Sequence, residues 1–123
     1  MSHDRADEAE VERGSGDQAY PHEDAERAVQ IGADVVYVSN HGGRQIDALP
    51  GPIDTLPAIK AVVGNRAKPV YDSGVRSGVD VARAFALGAD AVLAGKPFLW
   101  SLGALGEKGP AHAISIFVDE LRA

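Results

Sequence analysis

Residues 28–40 read AVQIGADVVYVSN, and residues 84–96 read AFALGADAVLAGK. Each phrase closes a helical stretch with Gly-Ala-Asp, continues as a short apolar run and ends in small polar residues. Glycine stops a helix because it enters the left-handed region without a Cβ penalty. The β-branched and aromatic run VVYVS suits a strand buried on both faces. Between the two phrases lie a helix near 54–63, ended by Gly64, and a strand near 68–72, KPVYD. A helix over 78–87 follows, with Ser77 as N-cap and Asp80 three residues on, the spacing of a capping box. Ahead of the first phrase, PHEDAERAVQIGAD puts Pro21 at a helix start, acids in the first turn and Gly32 at the stop. Strands alternating with helices of this length imply βα units and a parallel sheet. Right-handed crossovers then set successive strands side by side.

Three strands, near 34–39, 68–72 and 90–94, and four or five helices are therefore expected. Three parallel strands leave two open edges. The pattern reads either as a small open α/β sandwich or as a piece of a barrel, which needs eight strands and about 250 residues. Outside this region the texture changes. Residues 1–18 hold six acids and two bases, a Gly-Ser-Gly break and almost no large apolar side chain. Such a segment cannot bury enough surface to offset its ordering entropy, so residues 1–20 are expected to be a disordered acidic tail. The whole chain of 123 residues carries a net charge of −6, which argues against a nucleic-acid partner. It contains no cysteine, which closes disulfide, thiolate and zinc–sulfur chemistry, and no metal site is expected. No apolar run approaches a membrane span and no signal-peptide core is present, so a cytoplasmic location is expected.

Three loops follow the expected strands, at the carboxyl edge where α/β folds place their chemistry. The first is Ser39-Asn40-His41-Gly42-Gly43-Arg44-Gln45. An imidazole with an ordinary pKa near ~6.5 takes a proton at working pH, and a guanidinium holds a carboxylate by two parallel hydrogen bonds. Base plus carboxylate clamp is what oxidation of a 2-hydroxy acid requires. The same residues also describe a Gly-rich loop with an exposed His and Arg. The second loop, Asp72-Ser73-Gly74-Val75-Arg76-Ser77-Gly78, combines small residues, a following helix N-terminus and a full positive charge, as an anion site needs. The third is Gly95-Lys96. In an open sandwich Arg76 and Lys96 are surface cations; at the ends of adjacent barrel strands they form a phosphate site.

SNHGGRQID, followed by GPIDTLPAI, DSGVRSGVDVARAFALGADAVLAGKPFLW and GEKG, resembles the C-terminal part of the FMN-dependent 2-hydroxy-acid dehydrogenase family. That family includes glycolate oxidase, lactate oxidase and the flavin L-lactate dehydrogenases. The resemblance runs from about Pro21 to Ala123. It implies a partial TIM (β/α)8 barrel over residues 21–123, its three parallel strands equivalent to the sixth, seventh and eighth, with flanking helices. It implies FMN as cofactor and a small L-2-hydroxy acid, of lactate or glycolate type, as substrate. His41 is implied as the catalytic base, also touching substrate, and Arg44 as the substrate-carboxylate ligand. Ser39 is implied beside the flavin, and Asp72, Ser73, Gly74, Val75 and Arg76 around the ribityl chain and phosphate. Gly95 and Lys96 match the second phosphate loop, where the family usually has Gly-Arg; lysine keeps the charge but loses the planar fork.

Departures from the family pattern shape the remaining expectations. The family lysine at the end of the fifth strand would fall at Asp17, counting back from Glu23-Asp24-Ala25, and an aspartate cannot play that part. The strands that carry the family's substrate tyrosines, its second arginine and the carboxylate behind the histidine have no counterpart. The chain is accordingly expected to be inactive alone. The alternatives are a half-barrel module completed by a second copy or by a complementary chain, or a non-functional remnant. Inosine monophosphate dehydrogenases share a Gly-rich loop of this kind but lack HGGRQ and use a cysteine. Asp119, Glu120, Phe98, Trp100 and Phe117 are expected to serve solvation and packing only.

Overall fold

A computed structural model describes residues 8–11, 21–44, 48 and 50–123 of the chain. Helix α1 (Pro21–Gln30) has Glu23 and Asp24 in its first turn and Arg27 in its last, matching the helix dipole at both ends. It closes at Gly32, φ 96°. There Ala33 N–H donates to Ala28 O and Gly32 N–H to Val29 O, both at 3.0 Å. Helix α3 (Gly78–Ala86) closes the same way at Gly88, φ 111°. Ala89 N–H meets Ala84 O at 3.0 Å and Gly88 N–H meets Phe85 O at 3.1 Å. The repeated Gly-Ala-Asp phrase is thus a repeated Schellman ending, which turns the chain back toward the sheet.

The sheet follows from these turns. Strands β2 (Val35–Val38), β3 (Lys68–Tyr71) and β4 (Ala91–Val92) pair in parallel, Val38 opposite Tyr71 and Tyr71 opposite Val92. These are the three strands expected. A further parallel strand, β1 (Glu8–Val11), pairs with the outer side of β2, giving the order β1-β2-β3-β4. Residues 8–11 of the expected acidic tail are paired in this strand: a strand edge with unpaired N–H and C=O groups accepts an extended segment through backbone bonds. Residues 1–7 and 12–20 of the expected tail, Asp17 among them, lie outside the described residues.

Among the described residues, five α-helices accompany the strands: α1, α2 (Pro52–Val63), α3, α4 (Lys96–Leu105) and α5 (Gly109–Arg122). Leu56, Ile59 and Val63 of α2 and Ala25 and Ala28 of α1 form one core with Val36 and Val38 of β2 and Tyr71 of β3. Burial along β2 alternates, with Val36 and Val38 buried and Val35 and Tyr37 half-buried. The strand is thus not buried on both faces as VVYVS suggested, because helices cover one face and leave the other partly open. Pro69 breaks no rung of β3. Lys68 and Asp72 donate to β2, at Asp34 O (2.9 Å) and Val38 O (3.1 Å), while Pro69 turns toward β4 and accepts from Asp90 N–H at 2.8 Å.

Two glycines let α5 approach closely. A Cβ on Gly78 would stand 2.3 Å from Phe117 O, and one on Gly109 would stand 1.9 Å from Ser101 O. A Cβ on Gly103, inside α4, would meet nothing within 4 Å. The two helices should therefore respond to Gly→Ala with opposite signs. Gly103→Ala should gain up to about 1 kcal/mol from helix propensity. Gly78→Ala should lose about 1–3 kcal/mol to overpacking despite the same propensity gain. Urea unfolding of both variants checks this, and equal effects would contradict the packing of α5 on α3.

Candidate functional site

Because β2, β3 and β4 run parallel, their carboxyl ends open on one rim, and the loops that follow line one open cleft of about 640 Å³. His41, Gly42, Gly43 and Arg44 come from the loop after β2. Asp72, Ser73, Gly74, Val75 and Arg76 come from the loop after β3, and Gly95 and Lys96 from the turn after β4. Of the candidate catalytic, substrate and cofactor residues, all but Ser39 line this cleft, and Ser39 Oγ lies 3.3 Å from Ser73 Oγ. The SNHGGRQ motif is described as far as Arg44; Gln45 lies outside the described residues.

The first two loops are tied together. His41–Gly43 form a single 3-10 turn in which Asn40 Oδ1 accepts from Gly42 N–H at 3.0 Å. Both loops enter the left-handed region at a residue other than glycine: His41 at φ 53° and Ser73 at φ 82°. Such residues cost on the order of 1 kcal/mol or more each, and they persist where neighbours over-determine them. The neighbours here are hydrogen bonds. Ser73 Oγ accepts from Asn40 N–H at 3.3 Å and from Gly42 N–H at 3.2 Å, and donates to Asp72 Oδ1 at 2.8 Å. Tyr37 donates its hydroxyl to Asp72 Oδ2 at 2.9 Å, and Tyr71 donates to Ser73 O at 2.6 Å. Burial, with Asp80, Asp72 and Asp54 adding to it, pushes the Tyr71 phenol above its ordinary pKa, so it remains a neutral donor.

The charge of the cleft is positive. Arg44, Arg76, Arg83 and Lys96 line it against Asp72 and Asp80. Lys96 reaches across from β4 to the histidine loop, its Nζ 3.5 Å from where a Cβ on Gly42 would sit. The Arg76 guanidinium lies 4.6 Å from the centre of the Trp100 ring, a cation–π contact that limits where it points. Trp100 therefore does more than pack. Glu120 does as well, accepting Gly78 N–H at 2.6 Å. That bond corrects one expectation about the second loop. The α3 N-terminus is already capped, by Glu120 at Gly78 and by Ser77 Oγ on Asp80 N–H at 3.1 Å. Asp80 in turn accepts from Arg76 N–H at 3.0 Å, in place of the Ser77 N–H of a reciprocal capping box. Positive potential for an anion comes from the side-chain cations more than from this helix end.

Sequence reasoning passed over Tyr37, Tyr71, Arg83 and Trp100. The period-2 alternation of β2 was the signal for Tyr37, since it places Tyr37 and Ser39 on the same face. Trp100 shows itself only through its contact with Arg76 from a separate element, while Tyr71 and Arg83 bond Ser73 O and Asp80 a few residues away. Among the described residues, no group of His, Asp or Glu could hold a metal ion, and no helix is long and apolar enough to cross a membrane.

Tyr71 gives this network a pH signature. A group whose proton is held more tightly in the folded state stabilises the fold below its unfolded pKa. That contribution falls as pH rises past about 10. Alkaline unfolding of the native chain should therefore steepen above that pH, and Tyr71→Phe should remove the steepening while costing about 1 kcal/mol at neutral pH for the lost hydrogen bond. Thermal melts from pH 7 to 11 measure both.

Comparison with known proteins extends the geometry. The L-lactate dehydrogenase of Bartonella tribocorum (strain CIP 105476 / IBS 506) is 53% identical over 100 residues, covering 81% of this chain and 26% of that protein. The L-lactate oxidase of Nostoc sp. (strain PCC 7120 / SAG 25.82 / UTEX 2576) is 48% identical over 99 residues, covering 80% and 27%. A crystal structure of mandelate oxidase with (S)-4-hydroxymandelic acid superposes with a TM-score of 0.79 at 42% identity, covering 92% of this chain and 30% of that one. The chain thus spans about a quarter to a third of the length of these relatives, and its strands and helices form part of a TIM barrel. A family model described as FMN-dependent dehydrogenase matches residues 20–123, and with three strand ends converging on one cationic cleft, the chain belongs to the FMN-dependent dehydrogenase family.

Proposed function

We propose that this chain carries the histidine, the carboxylate clamp and the phosphate cradle of an FMN-dependent oxidation of a small L-2-hydroxy acid to the 2-oxo acid. The observation that supports it most is the sharing of one cleft by His41 and Arg44 with Gly74, Arg76, Gly95 and Lys96. The residues present fit a flavin phosphate. A Cβ on Gly74 or Gly95 would meet nothing within 4 Å, so the backbone of both loops is open to a ligand. Arg76 and Lys96 supply its counter-charges.

In this reading Arg44 clamps the substrate carboxylate and sets the hydroxyl-bearing carbon toward His41. The His41 imidazole then takes a proton from the substrate, as a side chain that changes charge near neutral pH is suited to do. FMN, when bound, would supply the acceptor for the two electrons and for the second proton that the substrate loses. Asp72, Ser73 and Val75 line the ribityl side, with Ser39 beside Ser73. L-Lactate is named for two of the relatives, and it is the first substrate to try.

Titration with FMN, followed by flavin fluorescence, tests the cradle. Arg76→Gln should weaken binding roughly tenfold to a hundredfold, because a charge-assisted hydrogen bond contributes about 1.5–3 kcal/mol. Equal affinity would remove Arg76 from the phosphate site. Anaerobic L-lactate should leave the flavin spectrum of the isolated chain unbleached.

One observation favours a second reading, a half-barrel completed by another chain. Leu93, and Leu99 of α4, both line the cleft and are exposed by 45% and 64%, apolar surface of the kind another chain covers. Sedimentation at micromolar concentration should then give a species larger than the monomer. A compact monomer that stays soluble would remove this reading.

A further inference from the structure

We propose that Ser73 is a positioning residue whose hydroxyl latches the His41 loop to the loop after β3. The proposal rests on the reading of His41 as the base. Ser73 stands 31–34 residues from the groups it touches in that loop. A serine hydroxyl has one proton and two lone pairs. The proton goes to Asp72 Oδ1 at 2.8 Å, whose other oxygen is held by the Tyr37 hydroxyl at 2.9 Å. The lone pairs therefore face the histidine loop. Asn40 N–H, Gly42 N–H and Ser39 Oγ converge on them at 3.3, 3.2 and 3.3 Å. Three neighbours sharing two lone pairs is consistent with contacts longer than the single bond to Asp72. An ionised carboxylate behind the hydroxyl polarises it and makes it a stronger acceptor.

The two amides held this way flank His41, whose φ of 53° is a conformation that neighbours must hold in place. Without Ser73, Asn40 Oδ1 on Gly42 N–H, Ser39 Oγ on His41 N–H and Asn40 O on Gly43 N–H remain, at 3.0, 3.1 and 2.9 Å. These three are internal to the loop. They shape it but do not anchor it to the cradle. Ser73 sits at φ 82°, which glycine adopts freely, so what the serine adds at this position is its hydroxyl.

Backbone amide exchange by NMR on the full chain, without flavin, tests the latch with two variants. Ser73→Gly deletes the hydroxyl and relaxes the backbone; Ser73→Ala deletes the hydroxyl and keeps the strain. In both, exchange at Asn40 should quicken about fivefold to tenfold, as expected for one lost hydrogen bond. Gly42, which keeps Asn40 Oδ1, should quicken by less. Amides within β2 and β3 should not change. Unchanged exchange at Asn40 in Ser73→Gly overturns the proposal. So does acceleration in Ser73→Ala alone, which would assign the effect to backbone conformation, and so does uniform acceleration through β2 and β3, which would assign it to general stability. Since no flavin is added, failure here leaves the FMN reading standing, and that reading is judged by the Arg76→Gln titration.

Discussion

Val38 stands opposite Tyr71, and Tyr71 opposite Val92, in a sheet whose strands all run one way. Every property of the cleft depends on that parallel register. Parallel strands end on a common rim, so each βα loop begins beside its neighbour although more than 20 residues of helix and turn separate them along the chain. Had one strand been antiparallel, its loop would open on the far side, and the histidine turn could not meet the serine of the next loop. The register also sets faces. Tyr37 and Asp72 both project from the side away from the helices, which is why a tyrosine in the middle of one strand can hold a carboxylate at the end of the next.

Around this sheet the packing is uneven, and the unevenness is informative. The helix-covered face is filled by Leu56, Ile59, Val63, Val36 and Val38, all at 2% exposure or less. Leu93 after β4, and Leu99 and Trp100 of α4, face solvent. The chain matches about 30% of a barrel enzyme's length, and its helical layer also exposes Phe85, Leu105 and Ile114. The outer layer is local, since each helix packs on strands adjacent in sequence. A barrel interior is filled by side chains from alternate strands around the whole circle, so it cannot be supplied by three or four of them.

Positive charge in the cleft is held by contacts that are themselves tertiary. Arg76 lies over Trp100 from α4, and Lys96 reaches to the turn that carries His41. Meanwhile Ser77, Asp80 and Glu120 take the amides at and just before the start of α3. The cationic side of the cleft is thereby an arrangement of Arg76, Lys96 and two open glycine loops, beside a helix end whose first amides already have side-chain partners.

The repeated Gly-Ala-Asp phrase, the capping serine at Ser77 and the small polar residues after each apolar run were enough to place three parallel strands and their helices. They were equally enough to place His41, Arg44, Arg76 and Lys96 at strand ends, because helix stops and strand periodicity are set by neighbours a few residues away. Beyond that range the chain's order says little. The strand at Glu8–Val11 rests on backbone pairing with β2, which composition does not record. Glu120 on Gly78, Trp100 beneath Arg76 and Ser73 beneath the histidine turn join residues 24 to 42 positions apart. Those partnerships exist only once the sheet has fixed which loops are neighbours and close packing has chosen which side chains meet.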